Sequence, residues 1–393
     1  MVEVSDTLRG IGEEELSTPA ARAAGLLNLV RQHEAETQVA RRPALPVMRA
    51  FAEAGLLRIL APRSYGGEEA TAIDFMRLVE VVARADGSAG WTVMTLNEEI
   101  EIAAGYVPDV VMRQVCTSCP ATIVAGSGAA LGRARRVEGG WQLSGRWPFV
   151  TGGPVADQLV LGATVEGPKP RSLWFGLLPV TDVEILNTWD TVGLRGTGSH
   201  DVQVDDVFVP EDRAGVVSTG RDTVPDVTLF RLPPSLRFPF PKVGVATGIA
   251  RSAIEAFSDL AQGKKARVSR TLLRERPDAQ LAMAQAEALV GSGWAFATEM
   301  VEAVWALAEQ AKPLPTEVHA RTRLACTHAV SNCVRAVETL CTAAGTTANL
   351  TISPLHRYLA DVRAVSQHVM VGGYNDLSAG RVLLGLEPSD PLF

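Results

Sequence analysis

The side chains in this chain that could do chemistry are few and widely spaced. Cys116 and Cys119 form a C-x-x-C, the spacing of a redox pair or of half a zinc site. No second pair and no nearby histidine accompanies it, so buried thiols are the plainer reading. Cys326, His328 and Cys333 recur at helical spacing in Ala-rich sequence, which again points to packing, and no metal site is expected. Gly126-Ser127-Gly128 with Gly132 lacks the G-x-G-x-x-G spacing and no helix clearly follows it, so a nicotinamide site is not expected either. The other candidates are a scatter of polar groups. Ser127 lies in that Gly-rich stretch and Thr151 precedes Gly152-Gly153. Glu98, Glu99 and Glu101 follow Trp91, and Arg267, Arg270, Arg274 and Arg276 lead up to Gln280. His368 sits in the last helical region, with an ordinary pKa that suits proton exchange near neutrality. By residue type alone each has a plain structural role: a turn, a strand end, a solvated charge, a packed ring.

The elements that must position these groups read as helix, then strand, then helix. With 393 residues, 47% of them apolar and 21% charged, the chain can build two or three packed segments and is neither disordered nor fibrous. A net charge of −7 removes any general pull toward nucleic acid or anionic lipid, so no nucleic acid and no membrane is expected as partner, and a small-molecule substrate is. Met1 to Glu15 is polar and acidic, unlike a secretory signal, and no apolar run is long enough to cross a bilayer. The odd cysteine count fits a reducing compartment, and a cytoplasmic protein is expected. From Thr18 to about Val115 apolar residues such as Met48, Phe51, Leu56 and Ile59 recur at helical spacing. Arg135 to Leu143 reads as a hairpin around Gly139-Gly140, and strand-like stretches come after it at 158–164, 173–178, 183–186 and 202–209, suggesting a small antiparallel sandwich or barrel. After Pro241 the helical period returns and holds to about Gly385. The expected domains are 1–118, 119–235 and 236–393.

Four words of sequence, in this order, resemble the acyl-CoA dehydrogenase superfamily along nearly the whole chain. They are Phe51 to Leu57 with Pro62 and Tyr65-Gly66-Gly67; Ser144 to Gly153, similar to the family's flavin-facing strand; Val192 to Ser199 with Val204 to Pro210; and Arg357 to Arg363 with the residues just after it, similar to the family's last helix. The resemblance implies an α+β fold with an N-terminal helical domain, a central β-sandwich or barrel and a C-terminal four-helix bundle.

Within the superfamily, the dehydrogenases need a carboxylate base beside the substrate. Aligning Asp361 and Arg363 with the family's corresponding pair puts Val369 at the position of that Glu, with His368 just before it. The other known position, near the start of the first bundle helix, falls in Leu232 to Val245, which holds no acid. A His at the place of His368 resembles the flavin-dependent monooxygenase branch, as does Asp86-Gly87-Ser88-Ala89-Gly90-Trp91 ahead of a pocket helix. That branch implies the oxygenase component of a two-component system. Reduced flavin, FMN or FAD, would come from a separate NAD(P)H:flavin reductase, and oxygen would be inserted through a C4a-hydroperoxyflavin that survives only with water excluded. The resemblance assigns His368 as peroxide partner or substrate base, Thr151 as a hydrogen-bond partner of flavin N5 or O4, and Ser127 as a group near flavin or substrate. Trp147 and Phe149 would border the isoalloxazine. Arg270 and Gln280 would reach the flavin phosphate, often across a subunit interface in a homotetramer. Trp91 and Glu99 would face the substrate pocket, Glu99 either as the partner of a cationic or amine substrate or as an ordinary solvated charge. Val150 stands where many hydroxylases of the branch carry the first of two small hydroxyl residues, and where several place a His on the pocket helix this chain has Asn97-Glu98-Glu99-Ile100-Glu101, which argues against phenol hydroxylation. An acyl-CoA dehydrogenase working with an electron-transfer flavoprotein, or a non-catalytic relative, are the alternatives.

Overall fold

The structure, a computed structural model, describes residues 18–118, 121–167, 172–217, 225–265, 271–390 and 393. The N-terminal segment consists of short helices α1 (Pro19–Ala24), α2 (Leu27–Gln32), α3 (Glu34–Ala40) and α4 (Leu45–Glu53), followed by α5 (Ala72–Ala85), α6 (Gly87–Tyr106) and α7 (Asp109–Arg113). Side-chain caps set several of the starts, those of α5 and α6 among them. Thr71 Oγ1 accepts from Asp74 N at 3.1 Å and Asp86 Oδ1 from Ala89 N at 2.7 Å, each satisfying one of the free N–H groups at a helix start. Helix α5 is amphipathic, but α6 is buried around nearly its whole circumference, with acids as well as apolar residues inside.

Seven strands come next: β1 (Val124–Val137), β2 (Gly140–Val150), β3 (Gln158–Val165), β4 (Leu173–Pro179), β5 (Glu184–Leu186), β6 (His200–Pro210) and β7 (Ala214–Val217). Among the described residues they form one sheet in the order β5-β6-β2-β1-β3-β4-β7. The hairpin at Gly139-Gly140 is present as β1–β2, with Val137 opposite Gly140. The sheet is mixed rather than wholly antiparallel, because β3 runs parallel to β1. A stretch of alternating residues does not encode strand direction. Only the crossing from the end of β2 back beside the start of β1 fixes it.

The C-terminal segment is helical: α8 (Pro234–Arg237), α9 (Pro239–Gly263), α10 (Pro277–Glu309), α11 (Thr316–Ala344), α12 (Pro354–Ser366) and α13 (Asn375–Leu383). Helices α9, α10 and α11 pack side by side, α12 lies against α9 and α11, and α13 against α11. Helix α9 also packs on α5, so the first and last segments share one apolar core. At that contact the chain uses glycine. A β-carbon on Gly244 would lie 2.5 Å from Met76 O and one on Gly248 2.4 Å from Glu80 O, so the two backbones touch. Among the described residues no helix is long and apolar enough to cross a membrane.

Candidate active site

The site starts at the end of β2. Between Trp147 and Val150 the strand carries one residue more than its partner β6, since Trp147 pairs with Val202 and Val150 with His200. This bulge puts Phe149 in the left-handed region at φ 62° and turns its ring outward, where it is 70% exposed and meets Trp189 edge-on, centroids 6.1 Å apart. A large apolar side chain held outward in a costly backbone conformation marks a surface built to be covered. Trp147 behaves differently from what the sequence suggested. It is fully buried, its indole N–H donates to Gly162 O at 2.8 Å, and its ring fills the space left by Gly132 and Gly145. It anchors the sheet and borders no open face, because the bulge reverses the facing of the strand only after it.

Thr151, the next residue, is buried. Its hydroxyl bonds Ser199 Oγ at 2.8 Å, Ser199 bonds Thr197 Oγ1 at 2.7 Å, and Thr197 donates to Leu194 O at 2.9 Å. Trp91 Nε1 donates to Thr151 Oγ1 from α6 at 3.3 Å. The Trp91 ring in turn meets His368, just past the end of α12, edge-on at 5.5 Å. Trp91, Thr151 and His368, from three separate segments, therefore stand in one cluster. Burial of the His368 ring, with the Lys242 charge close by, pushes its pKa down to about 3. Its Nδ1 accepts the Met370 N–H at 3.2 Å, so the single proton of the neutral ring is on Nε2. The neutral ring presents its Nε2–H as a hydrogen-bond donor.

Behind this cluster, α6 carries Glu98, Glu99 and Glu101, all buried. Glu98 pairs with the buried Lys242 of α9 at 2.5 Å, and Arg237 Nη1 of α8 stands 2.7 Å from Glu101 Oε1. Glu99 Oε2 has no hydrogen-bond partner among the described residues. Burial and then the charge of Glu98 raise its pKa well above the carboxylate range, so it is no solvated helix charge. Asn97 is a structural clamp. It accepts from Ile59 N at 3.0 Å and donates to Leu56 O and Val93 O at 2.9 Å.

The chain matches the family descriptions "Acyl-CoA dehydrogenase, N-terminal domain" over residues 9–104 and "Acyl-CoA dehydrogenase, C-terminal domain" over residues 242–372. It is 34% identical over 344 residues to indole-3-acetate monooxygenase of Pseudomonas putida, covering 87% of each chain. It is also 28% identical to the flavin-dependent monooxygenase oxygenase subunit HsaA of Rhodococcus jostii, covering 93% of this chain and 96% of the relative. The crystal structure of 3-HSA hydroxylase from Rhodococcus sp. RHA1 superposes with a TM-score of 0.85 at 26% identity, over 96% of this chain and all of that one. This chain belongs to the flavin-dependent monooxygenases of the acyl-CoA dehydrogenase family. It is an oxidoreductase, an oxygenase component that works with reduced flavin.

The remaining sequence candidates of this monooxygenase fall elsewhere. Ser127 is half-buried on β1, where the register against β3 breaks between Ser127 and Gly132. Gln280 is exposed in the first turn of α10 and donates to Arg274 O at 3.1 Å. Arg270, like Arg267, lies outside the described residues. Arg274 is tied to Gln262 and Arg276 to Asp278. Cys119 is also outside the described residues, while burial pushes the thiols of Cys116 up to about 11 and of Cys326 and Cys333 to about 12, which fits inert packing. Sequence reading missed Thr197, Ser199, Trp189 and Lys242. The first two stand inside the Gly-Thr-Gly-Ser word, which reads as a turn. Lys242 is a lone cation in an otherwise apolar stretch, a pattern that signals a buried ion pair.

Proposed function

We propose that the Trp91, Thr151 and His368 cluster is where flavin ring and substrate meet, and that this monooxygenase inserts oxygen into a small aromatic molecule using reduced flavin supplied by a separate NAD(P)H:flavin reductase. The observation that carries the reading is the outward-held Phe149 beside a buried hydroxyl ladder: a flat apolar face next to fixed hydrogen-bonding groups fits the isoalloxazine ring. Reduced flavin, when bound, supplies the electrons that activate dioxygen. Phe149 would cover the flavin ring and keep water away. Thr151 Oγ1, its direction fixed by Ser199 and the Trp91 N–H, would meet the polar edge. His368 Nε2–H would donate to oxygen as negative charge develops there, and Ser127, half-buried on β1, stays a candidate for a group near flavin or substrate. Gln280 and Arg270 remain candidates for the phosphate end. The Pseudomonas putida relative is named for an aromatic acid, which supports an aromatic substrate. We also propose a cytoplasmic homotetramer that packs through the C-terminal bundles. Exposed Ile352, Leu377, Leu384 and Leu386 support that contact.

The test is stopped-flow absorbance after mixing the chain and anaerobically reduced flavin with oxygenated buffer. A near-ultraviolet absorbance that decays far more slowly than free reduced flavin oxidises is expected. Thr151→Ala and His368→Ala should each lower product formed per flavin oxidised by about tenfold or more. Wild-type yields from both variants would overturn the placement.

A further inference from the structure

Helix α6 is buried except along one strip. Trp91, Thr95, Ile102 and Tyr106 are half-buried, and on a helical wheel they fall within about 60° of one another. Glu98 and Glu99 flank this strip on its two sides, Glu99 about 12 Å along the axis from Trp91 at about 1.5 Å per residue. Strand β1 packs closely on this side of α6, with glycine where a side chain would collide. A β-carbon on Gly126 would lie 2.9 Å from Glu99 Oε2, and one on Gly128 would lie 2.9 Å from Ile102 Cδ1. The strip thus begins at the Trp91, Thr151 and His368 cluster and runs to a buried polar end.

At that end three acids meet two cations. Lys242 donates to Glu98, and Arg237 faces Glu101 as an ion pair without a hydrogen bond, which leaves Glu99 Oε2 with neither a hydrogen bond nor a paired cation among the described residues. A buried polar atom left unpaired in a folded chain calls for a partner that arrives with the ligand. We propose that Glu99 is the specificity-determining residue of this cleft and receives the N–H or O–H of an uncharged aromatic substrate whose reacting ring lies against Trp91. This rests on the reading of the Trp91 cluster as the oxygenation site. An uncharged donor fits because burial disfavours charge at Glu99 and the Lys242 cation already acts on it. The Glu98–Lys242 pair fixes the helix face on which Glu99 stands.

The experiment compares indole, 1-methylindole and tryptamine as substrates of the full chain with reduced flavin, in wild type, Glu99→Gln and Glu99→Leu. Wild type should show a KM for 1-methylindole at least about tenfold above that for indole, and no preference for the tryptamine cation. Glu99→Leu should erase the difference by weakening indole, with kcat less affected, while Glu99→Gln, which keeps a carbonyl acceptor, should retain it. Equal KM values for indole and 1-methylindole in wild type, or a tenfold preference for tryptamine, overturn the proposal without reliance on any variant. So does discrimination that survives in Glu99→Leu. The slow near-ultraviolet absorbance measured without substrate separates the two readings. Its presence in wild type alongside failed discrimination rejects the role of Glu99 alone, and its absence in wild type rejects the oxygenation site itself.

Discussion

At the scale of single residues the fold decides between roles that chemistry leaves open. His368 is suited by type to be a base, yet burial lowers its affinity for a proton and the Met370 N–H occupies the Nδ1 lone pair, leaving Nε2–H as a donor. The unfolded ring takes up a proton near its ordinary pKa of about 6.5, while the folded ring does so only near 3. The fold therefore loses stability as pH falls from about 6.5 toward 3, and at neutral and alkaline pH the ring does not titrate. The pH profile of product yield should accordingly show no inflection near about 6.5 that disappears in His368→Gln, and an inflection of that kind would restore the base role. Trp91, Thr151 and His368 were legible in the sequence because each stands in a short word with a fixed place in the family. Trp147 was misread and Glu99 was left open. Which of two aromatics in a strand word faces out depends on a bulge that leaves no mark in composition. Whether a helical acid is solvated depends on how many neighbours surround its helix.

The elements that aim these residues meet at a second buried acidic group. Asp86 caps α6 with one oxygen, and Asp361 of α12 accepts the Leu194 N–H at 2.6 Å. The other oxygen of each lacks a hydrogen-bond partner among the described residues. Gly87 and Gly193 let these elements close in, since a β-carbon on the first would lie 3.2 Å from Asp361 Oδ2 and one on the second 2.2 Å from Ala360 O. Arg357 is the nearby cation and is paired with Glu34. Burial, then the Asp86 charge, raises Asp361 to about 7 against the pull of the Leu194 N–H and Arg357. The folded chain keeps a proton that the unfolded chain releases near the ordinary carboxylate pKa of about 4, so this group costs stability as pH climbs from about 4 to 7 and costs no more beyond. Asp361→Asn keeps the acceptor for Leu194 and cannot ionise. Its Tm should vary less between about pH 5 and 8 than that of wild type and exceed it by a few degrees at the alkaline end. Thermal unfolding across that range checks this, and a lower Tm at every pH would show Asp361 to be an ionised partner of Arg357. The existence and order of helices and strands were legible from periodicity and Gly or Pro punctuation. The parallel β1–β3 pairing and this junction were not, since both are made by residues far apart in sequence.

Over the whole molecule, the first and last segments are one body. Helix α9 lies on α5 through Gly244 and Gly248 with no room for a side chain, and the atoms in the way are backbone carbonyls that cannot swing aside. Gly248→Leu should cost at least about 1–3 kcal/mol, the usual penalty for overpacking, and lower Tm correspondingly. An unchanged Tm would mean that α9 can shift along α5. Family words along the sequence disclosed this architecture, but nothing in a local window shows that helices at opposite ends touch. The contact also bears on how the chain is made. A ribosome adds about 5–20 residues per second, and the entire β-sheet must be synthesised before α9 emerges. For on the order of ten seconds or more, the part of α5 that α9 covers stays open, which makes this early stretch the place where a chaperone would be expected to hold the nascent protein.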